Sequence, residues 1–220
     1  MYKYVIFDLD GTLADTLADL AASINFSLEK NALPTYKVDD YRSFVGDGID
    51  KLIERVLADN YSEALLKETK EVFFNYYSEH FCDYTKSYDG MPGLLKELDD
   101  LYIKTAVISN KPHQFVPQIL SKLYPDHKFE YTWGQKPNFE RKPDPQLLLL
   151  LLSLLGAEKS EALYVGDSNV DIKFAHSAGI KACGVSWGFR GREELIKSGA
   201  DFIADNTNEL KNVIMMRNNE

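Results

Sequence analysis

Short apolar runs rich in β-branched and aromatic residues alternate along this chain with stretches of helical period. Residues 4–7, 104–108, 162–165, 180–185 and 202–204 read as strands, with helix-like sequence between nearly all of them. A parallel crossover needs a long connection. The alternation therefore predicts an α/β fold, a doubly wound, mostly parallel, Rossmann-like sheet with helices on both faces. Ligands of such sheets bind beyond the carboxyl ends of the strands. Residues from about 15 to 83 break the rhythm. Leu17, Leu20, Ala21, Ile24 and Leu28 keep the i, i+3, i+4, i+7 spacing of an amphipathic helix, and Leu52, Ile53, Val56 and Leu57 repeat it. Leu65, Leu66, Val72, Phe73, Tyr76 and Tyr77 give a third helical face. The expected organisation is an α/β core from 1–14 and 84–220, with an inserted α-helical domain at 15–83. Asp89, Gly90, Met91, Pro92 and Gly93 mark the exit, and Pro92 is suited to open the next helix.

Composition narrows the functional classes. The chain has 220 residues, 45% of them hydrophobic, enough for a sizeable core carrying a small insert. Twenty-five Lys and Arg against 34 Asp and Glu give a formal charge of −9, a field that repels polyanions and argues against nucleic acid as a partner. A small phosphorylated metabolite stays compatible, provided the site brings its own cation. Cys82 and Cys183 do not make a disulfide framework in a chain of this size, and Lys3, Asp8 and Asp10 interrupt the stretch that a secretory signal needs; both point to the cytoplasm. The longest apolar run, 147–155, is far below the roughly 20 residues that span a bilayer and reads as a buried helix.

The chemistry gathers where strands end. After the first strand come Asp8, Leu9, Asp10, Gly11 and Thr12; carboxylates two apart on extended backbone point the same way. Such a pair repels itself unless a cation or a shared proton relieves it, so one suits metal ligation and attack while the other moves a proton. The second strand leads into Ser109, Asn110 and Lys111, whose hydroxyl and amide can donate to phosphate oxygens. Lys142 precedes Pro143, Asp144 and Pro145, where it could neutralise developing phosphoryl charge. Gly166, Asp167, Ser168, Asn169, Val170 and Asp171 follow another strand, adding hard oxygen ligands of the kind that select magnesium. Each piece alone has a local explanation as a turn or helix cap. Their convergence on one crevice is what points to phosphoryl transfer.

In these residues the chain resembles the haloacid dehalogenase superfamily, whose four motifs match Asp8 to Thr12, Ser109, Lys142 and Asp167 to Asp171 in order. The resemblance implies that Asp8 forms an aspartyl-phosphate and that Asp10 protonates the leaving oxygen and then activates water. It implies Mg2+ held by the Asp8 carboxylate, the Asp10 carbonyl and Asp167, with Asp171 ordering these ligands from behind or binding water. Thr12, Ser109, Asn110 and Lys142 would hold the phosphate. The insert resembles the helical cap of the subfamily containing phosphoglycolate phosphatase, so the cap would close over the substrate and choose it. Phe44 to Ile49 is similar to that subfamily's cap loop, making Gly46 and Gly48 possible substrate-loop residues; Lys51 and Arg55 are further candidates for meeting a substrate carboxylate. Trp187 to Leu195 is also similar to that group, and is expected to lie outside the phosphate pocket.

Rivals share the fold. Resemblance to the dehalogenase and phosphonate hydrolase branches would lead one to expect no acid/base carboxylate at position 10, where Asp10 stands. A sugar phosphomutase would carry a histidine shortly after the first motif, where this chain has Leu20. A non-catalytic binding module would have lost at least one of the buried charges. A pyrophosphatase or broad sugar-phosphate phosphatase needs the same core and stays open, as does the choice between monomer and homodimer.

Overall fold

The computed structural model describes residues 1–216. Among these residues eight strands form in chain order: β1 (Tyr4–Phe7), β2 (Ala14–Asp15), β3 (Lys86–Ser87), β4 (Lys104–Pro112), β5 (Tyr131–Gln135), β6 (Ala162–Gly166), β7 (Lys181–Val185) and β8 (Phe202–Ala204). The helices are α1 (Leu17–Lys30), α2 (Tyr41–Phe44), α3 (Ile49–Leu57), α4 (Glu63–His80), α5 (Met91–Asp100), α6 (Phe115–Leu123), α7 (Gln146–Leu155), α8 (Asn169–Ala178), α9 (Arg192–Lys197) and α10 (Thr207–Met215).

Six strands pair in the order β5-β4-β1-β6-β7-β8, every pairing parallel. The chain runs outward from β1 through β4 to β5, then returns to β6 on β1's other side and runs outward again. The direction reverses beside β1, and a crevice opens there at the carboxyl ends of β1, β4 and β6. Alternation along the strands divides the core between two faces. Val5 and Phe7 of β1 join Leu163 and Val165 of β6 under α5, α6 and α10, whereas Ile6, Ala162 and Tyr164 face α7, α8 and Leu195 of α9.

Helices α1 to α4 occupy the segment predicted to be helical. They are joined to the sheet by a two-residue antiparallel ribbon, Ala14 opposite Ser87 and Asp15 opposite Lys86. Asp19, buried in the first turn of α1, accepts from the Tyr84 amide (3.0 Å) and from the Thr85 amide (2.8 Å) and hydroxyl (2.6 Å), tying the two crossing chains together. An aromatic cluster seats α4 on the sheet domain: Tyr77 meets Phe115 edge-on at 4.8 Å and stacks on Phe73 at 5.0 Å.

Two expectations need correction. Strand β5 was not expected, because Tyr131, Thr132 and Trp133 are only half-buried on an edge strand and lack an apolar alternation. The leucine run of α7 is not a buried helix: Leu147, Leu148, Leu151 and Leu152 are buried, while Leu149, Leu150 and Leu154 are exposed. A helix against one sheet face buries one stripe, whatever the run's composition. Among the described residues, no helix is long and apolar enough to cross a membrane, and Cys82 and Cys183 are free thiols.

Candidate active site

Asp8 follows β1 directly, with its amide still bonded to the Val165 carbonyl at 2.9 Å. Three residues on, Gly11 turns at φ +85°, and a Cβ there would sit 2.3 Å from Asp167 Oδ2. Only glycine lets this turn pass beside the carboxylate. Asp167 leaves β6 in the same way, and Ser168 caps α8 through a reciprocal pair of bonds with Asp171. Carboxylate oxygens of Asp8, Asp167 and Asp171 lie within 4.8 Å of one another, all three residues buried.

Lys142, delivered by the loop after β5, counters this charge. Its ammonium reaches Asp171 Oδ1 at 2.7 Å, Asp8 Oδ1 at 3.0 Å and the Tyr164 hydroxyl at 3.0 Å, so its three donors meet three acceptors. Burial pushes the Asp8 carboxyl up to about 7, against the pull of Lys142 and with the help of Asp171 and Asp10. Asp167 is pushed well above the carboxylate range by burial, by Asp171 and by Asp8. Burial opposes the charge on Lys142, but Asp171, Asp8 and Tyr164 outweigh it and hold the ammonium protonated.

Those three carboxylates fit a hard divalent cation. Their oxygens are close enough to share one ion, and burial, with repulsion among the carboxylates added to it, pushes Asp8 and Asp167 up, a penalty on their charge that a cation would relieve. Asp171 is already engaged at both oxygens, Oδ1 by Lys142 and Oδ2 by the Ser168 amide (3.1 Å) and hydroxyl (2.6 Å). Asp8 and Asp167 retain more free coordinating capacity.

A cavity of about 50 Å³ adjoins this cluster, lined by Asp8, Asp10, Ser109, Lys111, Asp167 and Arg190, with Leu20, Val45, Ile49, Leu52 and Phe189 as apolar wall. At ~10–15 Å³ per water it has room for a few waters, the scale of a small phosphate ester's head. Asp10 faces it more openly than Asp8; its Oδ1 accepts from Thr16 Oγ at 2.6 Å and from Lys111 Nζ at 3.0 Å. Ser109 is buried at the cavity wall.

Of the other expected residues, Asn110 also lines the cavity. Asn110 bridges two loops: its Oδ1 accepts from the Lys142 amide at 2.9 Å and its Nδ2 donates to the Gly46 carbonyl at 3.1 Å. The Thr12 hydroxyl is fully buried without a hydrogen-bond partner among the described residues, and its carbonyl accepts from Trp187 Nε1 at 3.2 Å. Gly46 and Gly48 line the cavity, at φ +114° and +87°. Lys51 pairs with Glu54 at 2.6 Å, and Arg55 pairs with Asp47 and donates to the Phe44 carbonyl at 2.7 Å; neither reaches the cavity.

The segment expected to lie outside the pocket instead lines it. Phe189 donates its amide to Asp167 Oδ2 at 2.7 Å, and Arg190 reaches the cavity and donates to the Val45 carbonyl at 2.8 Å. The chain returns over the crevice because Gly188 fits where a Cβ would sit 2.3 Å from the Asp167 Cβ. That glycine beside an aromatic pair was the available signal. Three consecutive carbonyls of the loop are thereby gripped by separate donors: Val45 by Arg190, Gly46 by Asn110, and Asp47 by Arg141 at 3.3 Å.

Comparison with known proteins converges on one family. Residues 5–185 match the family model of haloacid dehalogenase-like hydrolases. A phosphoglycolate phosphatase of Pseudomonas syringae pv. tomato is 31% identical over 213 residues, covering 94% of this chain and 78% of the relative. The Aquifex aeolicus phosphoglycolate phosphatase is 36% identical over 187 residues, 85% of this chain and 86% of its own. Among solved structures, a candidate phosphoglycolate phosphatase from Lactobacillus delbrueckii subsp. bulgaricus overlays with a TM-score of 0.93 at 31% identity, covering 98% and 99% of the two chains.

Proposed function

Since this chain belongs to the haloacid dehalogenase-like hydrolases, we propose that it is a magnesium-dependent phosphatase whose preferred substrate is phosphoglycolate. The observation carrying the reading is the meeting of Asp8, Asp167 and Lys142 beside a small cavity that Asp10 also faces. Relatives named phosphoglycolate phosphatase along nearly the whole chain support the substrate.

In this reading one Asp8 oxygen attacks phosphorus in line while the bond from phosphorus to the glycolate oxygen breaks. Asp10 gives that oxygen its proton. Asp10 then takes a proton from water, which attacks phosphorus; the bond to Asp8 breaks and phosphate leaves. Lys142 offsets charge on Asp8 and on the phosphoryl group, and the Ser109 hydroxyl donates to a phosphoryl oxygen. Asp8, Asp167 and the Asp10 carbonyl would hold Mg2+, with Asp171 fixing Lys142 and the turn at Ser168. When bound, the ion supplies Lewis-acid neutralisation of phosphoryl charge. Helices α1 to α4 act as a cap over the leaving group. Their apolar residues Leu20, Ile49 and Leu52 exclude water from it.

A screen of phosphoglycolate, sugar phosphates, nucleotides and pyrophosphate is expected to give the highest kcat/KM with phosphoglycolate, and chelation to stop turnover until Mg2+ is restored. A flat profile, or equal rates in metal-free buffer, would reject the substrate or the metal respectively. Of the described residues lining the cavity, the cations are Lys111 and Arg190. Arg190 is suited to the substrate carboxylate, its planar fork keeping donors beyond the one given to Val45. Arg190→Ala should raise KM for phosphoglycolate about 10- to 100-fold, the scale of a charge-assisted pair, and leave an alkyl phosphate that lacks a carboxylate unaffected. Equal effects on both esters would remove Arg190 from carboxylate recognition.

A further inference from the structure

We infer that Lys111 is a positioning residue that holds the Asp10 carboxylate by one oxygen, and that α4 holds Lys111 in turn through Tyr77. The inference rests on the reading of Asp10 as acid and base. Two donors, Lys111 Nζ at 3.0 Å and Thr16 Oγ at 2.6 Å, converge on the same atom, Asp10 Oδ1. The described residues make no hydrogen bond to Oδ2. The Lys111 side chain is 1% exposed and that of Asp10 20%, so the clamp is dry while the carboxylate opens to the cavity. A carboxyl gripped at one oxygen cannot rotate freely, and its other oxygen keeps a fixed approach to a leaving group.

The clamp is built into the fold. The pairing of β4 with β5 changes register between Ile108 and Pro112, re-aiming the side chains there. Gly134 of β5 admits the distorted strand, since a Cβ there would lie 2.4 Å from the Lys111 carbonyl. On its other side, the Lys111 ammonium lies 5.0 Å from the centre of the buried Tyr77 ring, a cation–π contact. Tyr77 is itself fixed by Phe73 and Phe115. The acid/base group is thus braced by the helical insert as well as by the sheet.

Because Lys111 also lines the cavity, the rival role is direct contact with substrate, and leaving-group dependence separates the two. A p-nitrophenolate departs without a proton, whereas an alkoxide needs one. In single-turnover assays of the full chain with Mg2+, Lys111→Met should slow phosphoenzyme formation from phosphoglycolate, or from whichever alkyl phosphate the wild type cleaves, by about 10²-fold. The loss with p-nitrophenyl phosphate should be only about threefold, with KM changed by less than about threefold for either ester. Tyr77→Leu should give the same pattern at about tenfold. Thr16→Val removes the other donor without touching the cavity wall and should also discriminate between the esters, which keeps the test decisive if Lys111→Met fails to fold. Equal losses on both esters, or a raised KM with kcat intact, would assign Lys111 to substrate binding and overturn the inference. Asp10→Asn is the reference: a leaving-group-independent loss there overturns the acid/base reading and this inference with it. A dependent loss there beside a uniform loss in Lys111→Met overturns the inference alone.

Discussion

Asp8→Asn should end turnover while making the metal-free protein more stable above pH 7. The amide has nearly the carboxylate's shape but does not attack phosphorus, so kcat is expected to fall by roughly 10⁴-fold or more, the scale on which loss of a covalent nucleophile is felt. The stability effect follows from the buried charge. The Asp8 carboxyl is held up to about 7, from an ordinary value of 3.8, by burial and by neighbouring carboxylates that outweigh Lys142. Between those values the folded state binds a proton that the unfolded state lacks, so stability declines as pH rises across the window. At pH 8 the native state bears the whole cost of the ionised group, at most about 4 kcal/mol for a shift of about three units. Asparagine does not ionise and escapes it. The variant should melt about 5–10 °C above wild type at pH 8 in the absence of metal, with the gap closing towards pH 4. Near-normal turnover by the variant would remove Asp8 as nucleophile; a melting difference independent of pH would contradict the buried-charge argument.

Lys142→Met should act in the opposite direction. The ammonium is the shared partner of Asp8, Asp171 and Tyr164, and its removal leaves two buried carboxylates beside Asp167 without their counter-charge. Loss of one member of a buried ion pair costs about 3–5 kcal/mol, which for a chain of this length is roughly 10 °C of melting temperature. Because the three groups form one network, Asp171→Asn added to Lys142→Met should recover part of the loss, and a double-mutant cycle in thermal denaturation would measure the coupling. Unaltered melting of the single variant at pH 8 would mean the network is solvated rather than buried. Activity should drop by about 10²–10³-fold through lost charge stabilisation.

Much of this site was legible in the sequence for a physical reason. Asp8 and Asp167 each follow an apolar run that had to be a central strand, with Asp10 two residues beyond the first, and central strands of a doubly wound sheet deliver their next residues to one edge. Lys142 was legible because two nearby prolines marked the start of α7. What escaped reading was what other elements impose. Strand β5 exists because β4 offers it an edge, not because Tyr131 to Gln135 carries a strand pattern. Arg190 and Phe189 sit in the cavity because their loop turns back past Asp167, a tertiary path that a glycine permits but does not announce. Lys111 looked like one residue of a polar strand end; only a change in register aims it at Asp10.

The grip on the loop at 45–47 falls on peptide oxygens, which all amino acids carry alike. Replacing the side chain of Val45 would therefore alter the wall presented to a departing group without dissolving the three bonds that draw the loop inward. Selectivity in such a molecule can be altered by substitution at that rim, so long as Arg190, Asn110 and Arg141 keep their hold on it.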